Sequence, residues 1–404
     1  MAEMNQKLFS GLAVAASLLG LAGCSDSDAN TGSSAADRTS AVKNYAENLA
    51  SAYADSVADE TDHQTVVGKF LADPTEKNLA AARTSWLDAR AHYMLTEGAR
   101  FYDGPIDVDT AERPSREGLI NSWPLDENYI DYTTDAKGVV DETVGIVNDP
   151  TLLKDITASG LDDLNAVQSD TSISSGYHAV EFLLWGQALK PTGPGERPAS
   201  DYDLTGTRAN PDRRAQYLTV AVDGIITHLT EVRDAWAKDA EYRVSFEGDA
   251  NTALSNVFTG LAKFSKGELG SQRIGAAYMS KERHDQHDCF SSDTLVDYER
   301  DARGIQNMYL GKYGDNDGMG LNDLVAAVDP AEDTKLQGMI QDSIDAIVAI
   351  PRPFEASIAG ADDSPGRVAI AKALDALSRQ GDEFAVAAAA LGYKITVDDP
   401  PAAQ

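Results

Sequence analysis

The chain is poor in cysteine, in basic residues and in long apolar runs. Its 404 residues hold two cysteines, which excludes a disulfide scaffold and a cysteine-rich zinc module. Lys and Arg total 34 against 65 Asp and Glu, a formal net charge of −31. A surface so acidic repels phosphate backbones, so nucleic acid is not an expected partner. No His-Glu-x-x-His stretch occurs, so the helix that presents two zinc ligands and a base is missing. A Gly-x-Ser-x-Gly elbow is missing too. Asp315-Asn316-Asp317-Gly318 opens like a calcium loop, but Met319 takes a ligand position and Ala326 stands where the bidentate Glu belongs. That run reads as a turn. What remains is globular in composition, with 42% hydrophobic and 25% charged residues, enough for a sizeable core.

The longest apolar run lies at the start. Lys7 precedes it, and it extends from Leu8 to Ala22, broken only by Ser10, Gly11, Ser17 and Gly20. A membrane span needs about 20 apolar residues, so the run reads as the hydrophobic part of a secretory signal. Leu21-Ala22-Gly23-Cys24 resembles the lipobox of bacterial lipoproteins. That resemblance implies a signal peptide over 1–23, cleavage before Cys24, and acyl chains on its thiol that anchor the mature chain in a bilayer. Ser25 after the cysteine implies the outer membrane of a Gram-negative-type bacterium, with the folded body in the periplasm or at the surface. Residues 24–36 have no large apolar side chain and read as a flexible tether. With Cys24 acylated, Cys289 has no partner and is expected to be buried and inert.

The body reads as all-α. Apolar residues recur at helical spacing over 38–57, 75–98, 212–240, 250–266, 334–350 and 365–391. Clear alternating strands are scarce, and no repeat of 20–50 residues is present. Two breaker-rich stretches, 102–123 and 190–211, interrupt the pattern. The second suggests two packed helical bundles, 37–190 and 212–395, joined by a loop over 191–211.

The sharpest polar pair sits in an apolar helix. In Gly176-Tyr177-His178-Ala179-Val180-Glu181, His178 and Glu181 are three apart and share a helical face. Helix bundles place imidazole and carboxylate this way to hold metal ions. A charged Glu181 among Val180, Phe182, Leu183, Leu184 and Trp185 would be costly unless paired or metal-bound. The same spacing also suits a His–Glu hydrogen bond that only locks packing. A second cluster, Glu282 to Asp288, contains His284 and His287 at another three-residue spacing. It reads either as a metal-binding face or as a polar loop after Met279.

Gly176-x-His178-x-x-Glu181 followed by Phe182-Leu183-Leu184-Trp185-Gly186-Gln187 resembles the imelysin-like family. The resemblance continues in Gly193-Pro194-Gly195-Glu196-Arg197-Pro198, in Trp123-Pro124-Leu125-Asp126 and from Trp86 through Arg90 to Glu97. It also covers His287-Asp288-Cys289-Phe290-Ser291, where Asp288 replaces the usual Ser. It spans about 37–391. The family groups iron-regulated outer-membrane or periplasmic proteins and is named for an insulin-cleaving peptidase.

The resemblance implies a two-bundle fold with a site near the bundle interface, and a role in iron acquisition. His178 and Glu181 would be ligands for iron or another divalent metal, with Glu97 as a further ligand. His287 would support the site; beside the resemblance, Asp103 and Asp126 are candidate supports from the irregular segments neighbouring Glu97, and Arg90 is the expected counter-charge for a buried carboxylate. The expected partners are iron or an iron-bearing ligand and components of iron uptake. Two other readings stand beside this one: a metal-dependent peptidase acting through the same residues, and a non-catalytic scaffold or adaptor. A hydrolytic site needs about three protein ligands, an open position and a base, and His178 with Glu181 fills only two of these roles. Whether the chain is an enzyme stays open on this reading.

Overall fold

A computed structural model describes residues 32–109 and 114–397. The signal segment and Cys24 lie outside the described residues. The described chain is helical, with only two pairs of two-residue strands, Thr133–Thr134 with Val140–Asp141 and Lys312–Tyr313 with Asn316–Asp317. The second pair flanks Gly314 and Asp315, so the Asp-rich run is the turn of a small hairpin. No helix among the described residues is long and apolar enough to cross a membrane.

Eight main helices carry the architecture: α1 (Ala35–Ala72), α2 (Glu76–Met94), α3 (Gly176–Trp185), α4 (Pro211–Ala235), α5 (Ala250–Lys263), α6 (Thr294–Leu310), α7 (Pro330–Val348) and α8 (Pro365–Ala390). Their ends follow capping chemistry. The Ser34 hydroxyl accepts the Asp37 N–H while the Asp37 carboxylate accepts the Ser34 N–H, a reciprocal cap on α1. Thr75 caps α2, and proline opens α4, α7 and α8, where its missing N–H costs nothing.

α1 runs 15 residues past Val57, its expected end. Glu60, His63, Val67 and Phe70 continue its buried stripe. Two of those four are polar, and that is why the apolar pattern fades in the sequence. Asp73 and Pro74 then stop the helix. α5 also departs from expectation. It ends at Lys263, and Phe264–Gly275 continues it as a π-helix containing Gly267, Gly270 and Gly275. The described residues of this region, 102–109 and 114–175, form short helices, loops and one two-residue strand pair, a longer irregular stretch than the sequence suggested.

α1 packs on α2 and on α4, and α3 fits between α2 and α4. On the other side α8 packs on α7, α5 and the π-helix, and α6 packs on α7. The two groups meet where α2 contacts α6. Their apolar faces form one continuous core that includes Trp86, Trp236, Tyr298 and Phe384. α4 therefore packs with the helices that precede it in the chain.

Candidate functional site

α3 is the shortest of the main helices, and every one of its ten residues is buried. Gly176 opens it with φ +85° beneath the Ile120 carbonyl, where a Cβ would collide. Only glycine combines that backbone angle with so close an approach. The Trp86 indole N–H donates to the Tyr177 carbonyl at 3.2 Å and ties α3 to α2. His178 and Glu181 are thereby held on one face, aimed at the loop before α6.

The His178 Nδ1–H donates to Glu181 Oε2 at 3.2 Å. The other Glu181 oxygen accepts the backbone N–H groups of Phe290 (3.1 Å) and Ser291 (2.6 Å). Arg90, from α2, lies at the centre. It reaches Asp297 Oδ2 through Nε (2.9 Å) and Nη2 (2.7 Å), and Asn121 Oδ1 through Nη1 (2.8 Å). Its Nη2 also faces His178 Nε2 at 3.4 Å and His287 Nδ1 at 3.2 Å. A guanidinium can only donate, so His178 Nε2 carries a lone pair; His287 Nδ1 sits between the same guanidinium and the Asp297 carboxylate and, assigned as N–H, directs its proton to the nearer Asp297 oxygen. His287 Nδ1 lies 2.9 Å from Asp297 Oδ2, which orients that ring. The two imidazoles meet edge to face with centroids 4.7 Å apart, and Trp123 packs edge to face on His287 at 5.5 Å.

Asp288 is the exception in this satisfied network. It is fully buried, and neither carboxylate oxygen makes a hydrogen bond. Its nearest partners are Arg90 Nε at 3.2 Å and His178 Nδ1 at 3.5 Å.

Burial dominates the titration of the centre. It pushes Glu181 up to about 8 and Asp288 well above the usual carboxylate range. It lowers His287 to about 4 and His178 well below its ordinary value, in the latter case with help from the Arg90 charge. For Asp297 burial alone would raise the value, but Arg90 and the His287 N–H hold it well below the normal range. Both imidazoles are therefore neutral at pH 7, the form that binds metals. One donor atom each from His178, His287 and Asp288 lie within 4.8 Å of one another, and so do donors from Asp288, Asp293 and Asp297.

A second buried ionic network adjoins the first. Glu97 pairs with Arg273 of the π-helix and with Arg100 at 3.3 Å. Arg273 also holds Asp301 at 3.0 Å and Glu268 at 3.1 Å. Burial would raise Glu97, yet the two arginines bring it down to about 2. Asn121 bridges the networks, donating to Glu97 Oε2 at 3.4 Å while accepting from Arg90.

The residues singled out in the sequence are thus placed unevenly. His178, Glu181, Arg90 and His287 share one centre. Glu97 is buried but engages the Arg100 and Arg273 guanidiniums next door. Asp103 is exposed in a left-handed turn, and Asp126 is exposed and caps a short helix by accepting the Asn128 N–H at 3.0 Å. Neither reaches the centre. His284 is exposed beside Asp285, so the two histidines of that stretch do not share a face. His92 pairs with Asp59 of α1, outside the centre. Asp297, Asn121, Arg273 and Asp301 carried no local motif. The only available signal was periodic: Asp297 and Asp301 are acids four apart on the apolar stripe of α6.

Comparison with known proteins places the chain. The imelysin (peptidase M75) family model matches residues 49–384. The iron-regulated protein A of Synechococcus elongatus is 25% identical over 337 residues, covering 82% of this chain and 80% of that protein. Among solved structures, an iron-regulated protein A precursor from Parabacteroides distasonis superposes with a TM-score of 0.65 at 18% identity, covering 87% of this chain and 96% of that one. An imelysin-like protein from Psychrobacter arcticum gives 0.61 at 16% identity, covering 90% and 98%. At these identities the solved structures speak for the fold alone.

Proposed function

The chain belongs to the imelysin family, and on that premise we propose that it binds iron, or an iron-bearing ligand, in the service of iron acquisition. The binding centre is the buried one around His178 and Glu181. One observation carries this reading: two neutral imidazoles and three carboxyl groups, Glu181, Asp288 and Asp297, are buried around a single guanidinium, Arg90. Buried acid in excess of base requires protons or a cation. The donor chemistry fits iron, since carboxylates suit Fe(III) and imidazole suits Fe(II). The iron-regulated name of the Synechococcus relative and the acidic composition support the same reading. The proposal includes export as a lipoprotein through Cys24.

The test is direct. His178→Ala is expected to fold and to lose most of its iron affinity in an anaerobic Fe(II) titration. A folded variant with unchanged affinity removes this site from the account.

The family model's description as a peptidase favours a second reading, hydrolysis at the same centre. A metal-activated water works with a nearby general base. Both Glu181 oxygens are already engaged by protein donors, which weighs against Glu181 in that role. Incubation with an unfolded polypeptide, with and without chelator, decides: absence of chelator-sensitive cleavage ends the peptidase reading.

A further inference from the structure

Two acids could serve as the carboxylate ligand of this centre, and their surroundings differ. Glu181 is saturated: Oε1 accepts two backbone N–H groups and Oε2 accepts the His178 N–H. Binding an ion through Glu181 would break those bonds and release His178. Asp288 is fully buried with no hydrogen bond to either oxygen. It has an ion-pair contact to Arg90 at 3.2 Å and lies 3.5 Å from His178 Nδ1, and one of its oxygens lies within 4.8 Å of one ring nitrogen each of His178 and His287. Each histidine is also oriented by a different acid through Nδ1, His178 by Glu181 and His287 by Asp297. That is the outer arrangement of metal-bound imidazoles, whose second nitrogen donates to a carboxylate and so fixes the tautomer and aims the ring.

We infer that Asp288, with His178 and His287, forms a three-residue cation site, and that Glu181 and Asp297 are positioning residues that hold the two imidazoles. The inference rests on the iron-binding reading above and assigns its ligands. Two imidazoles and one carboxylate form a mixed nitrogen and oxygen set, which suits Fe(II) and its neighbours in the first transition row. Arg90 works against such an ion by its own charge. It bridges Asp297 and Asp288 in the structure.

The experiment uses the mature chain and Co(II), whose visible absorption reports the number and kind of ligands. Wild type, Asp288→Asn and Glu181→Gln are titrated side by side, with thermal melting as a check on folding. The expectation is stoichiometric Co(II) in wild type and no detectable uptake in Asp288→Asn. Glu181→Gln should keep the stoichiometry and the spectrum and lose about 10–100-fold in affinity, the usual cost of an outer partner. Asp288→Asn keeps the side-chain shape and gives up the ion pair with Arg90, so melting shows whether the variant folds before its ion uptake is read. Should that variant fail to fold, Asp288→Ser replaces it. Asp288→Asn binding like wild type overturns this inference and leaves the iron-binding reading standing. Loss of the ion in Glu181→Gln but not in Asp288→Asn makes Glu181 the ligand and also overturns it. A wild type that takes up neither Co(II) nor Fe(II) defeats both.

Discussion

Replacing Arg90 with methionine removes the one positive charge at the centre while keeping much of the side chain's length. Arg90 is buried, stacks its guanidinium over Trp86 (5.4 Å) and Tyr177 (5.2 Å), and bonds Asp297 through two nitrogens. Without it Asp297 loses its counter-charge and must take a proton to stay buried. Protonating a carboxyl of ordinary value 3.8 at pH 7 costs about 4 kcal/mol, at 1.36 kcal/mol per pH unit. That agrees with the roughly 3–5 kcal/mol typical of breaking a buried ion pair from one side.

The pH dependence has a definite sign. In wild type the Asp297 value is depressed, so its stabilising contribution is full above the unfolded value near 4 and is lost only as pH falls on toward the lower folded value. In the variant Asp297 stays protonated in the fold while the unfolded chain releases its proton above 3.8, so the penalty should grow by nearly about 4 kcal/mol between pH 4 and pH 7. For a chain of this size 4 kcal/mol lowers the melting temperature by roughly 5 °C. A divalent cation should restore part of the loss, since it supplies the missing charge. Calorimetry at pH 4 and pH 7, with and without Co(II), measures all of this. A penalty independent of pH would refute the electrostatic reasoning and leave Arg90 as a packing residue.

Three further outcomes follow from the geometry. Gly176→Ala puts a Cβ against the Ile120 carbonyl at φ +85°, so it should cost at least about 2 kcal/mol and abolish ion binding by displacing His178, both readable by melting and titration. Asp131 is buried between Arg197 (2.7 Å) and Arg214 (2.6 Å), away from the centre; Asp131→Asn should cost about 3–5 kcal/mol and leave Co(II) affinity unchanged. Glu60 is buried in α1 with neither oxygen hydrogen-bonded, and burial raises it to about 8. It stays protonated in the fold while the unfolded chain releases the proton above about 4.5, so stability falls as pH rises from there to about 8. Glu60→Gln should flatten that slope and raise the melting temperature more at pH 8 than at pH 5.

The helical class was legible because six stretches keep apolar residues at helical spacing, and caps such as Thr75 and Ser364 mark where helices begin. The far half of α1 was not legible, because its buried stripe is completed by Glu60 and His63, which no hydrophobic pattern counts. The π-helix was not legible either. Phe264–Gly275 holds three glycines that argue against a helix running past 266, and its wider turns show only in the hydrogen bonding. At the site, His178 and Glu181 stood out because their spacing puts them on one face of an apolar helix. Asp297 and Arg273 come from α6 and the π-helix, 119 and 95 residues downstream of His178, and nothing local marks them. Asp103 and Asp126 were drawn in by nearness in sequence to Glu97 and Trp123, but capping and turn chemistry explain both.

The central claim is that the centre around His178 binds an ion. It is tested most directly by metal analysis of the purified mature chain after anaerobic Fe(II) loading and desalting, with wild type beside the His178→Ala/Glu181→Ala double variant. The account predicts roughly one ion per wild-type chain and none in the variant. Equal metal in both, or none in either after loading, would contradict it.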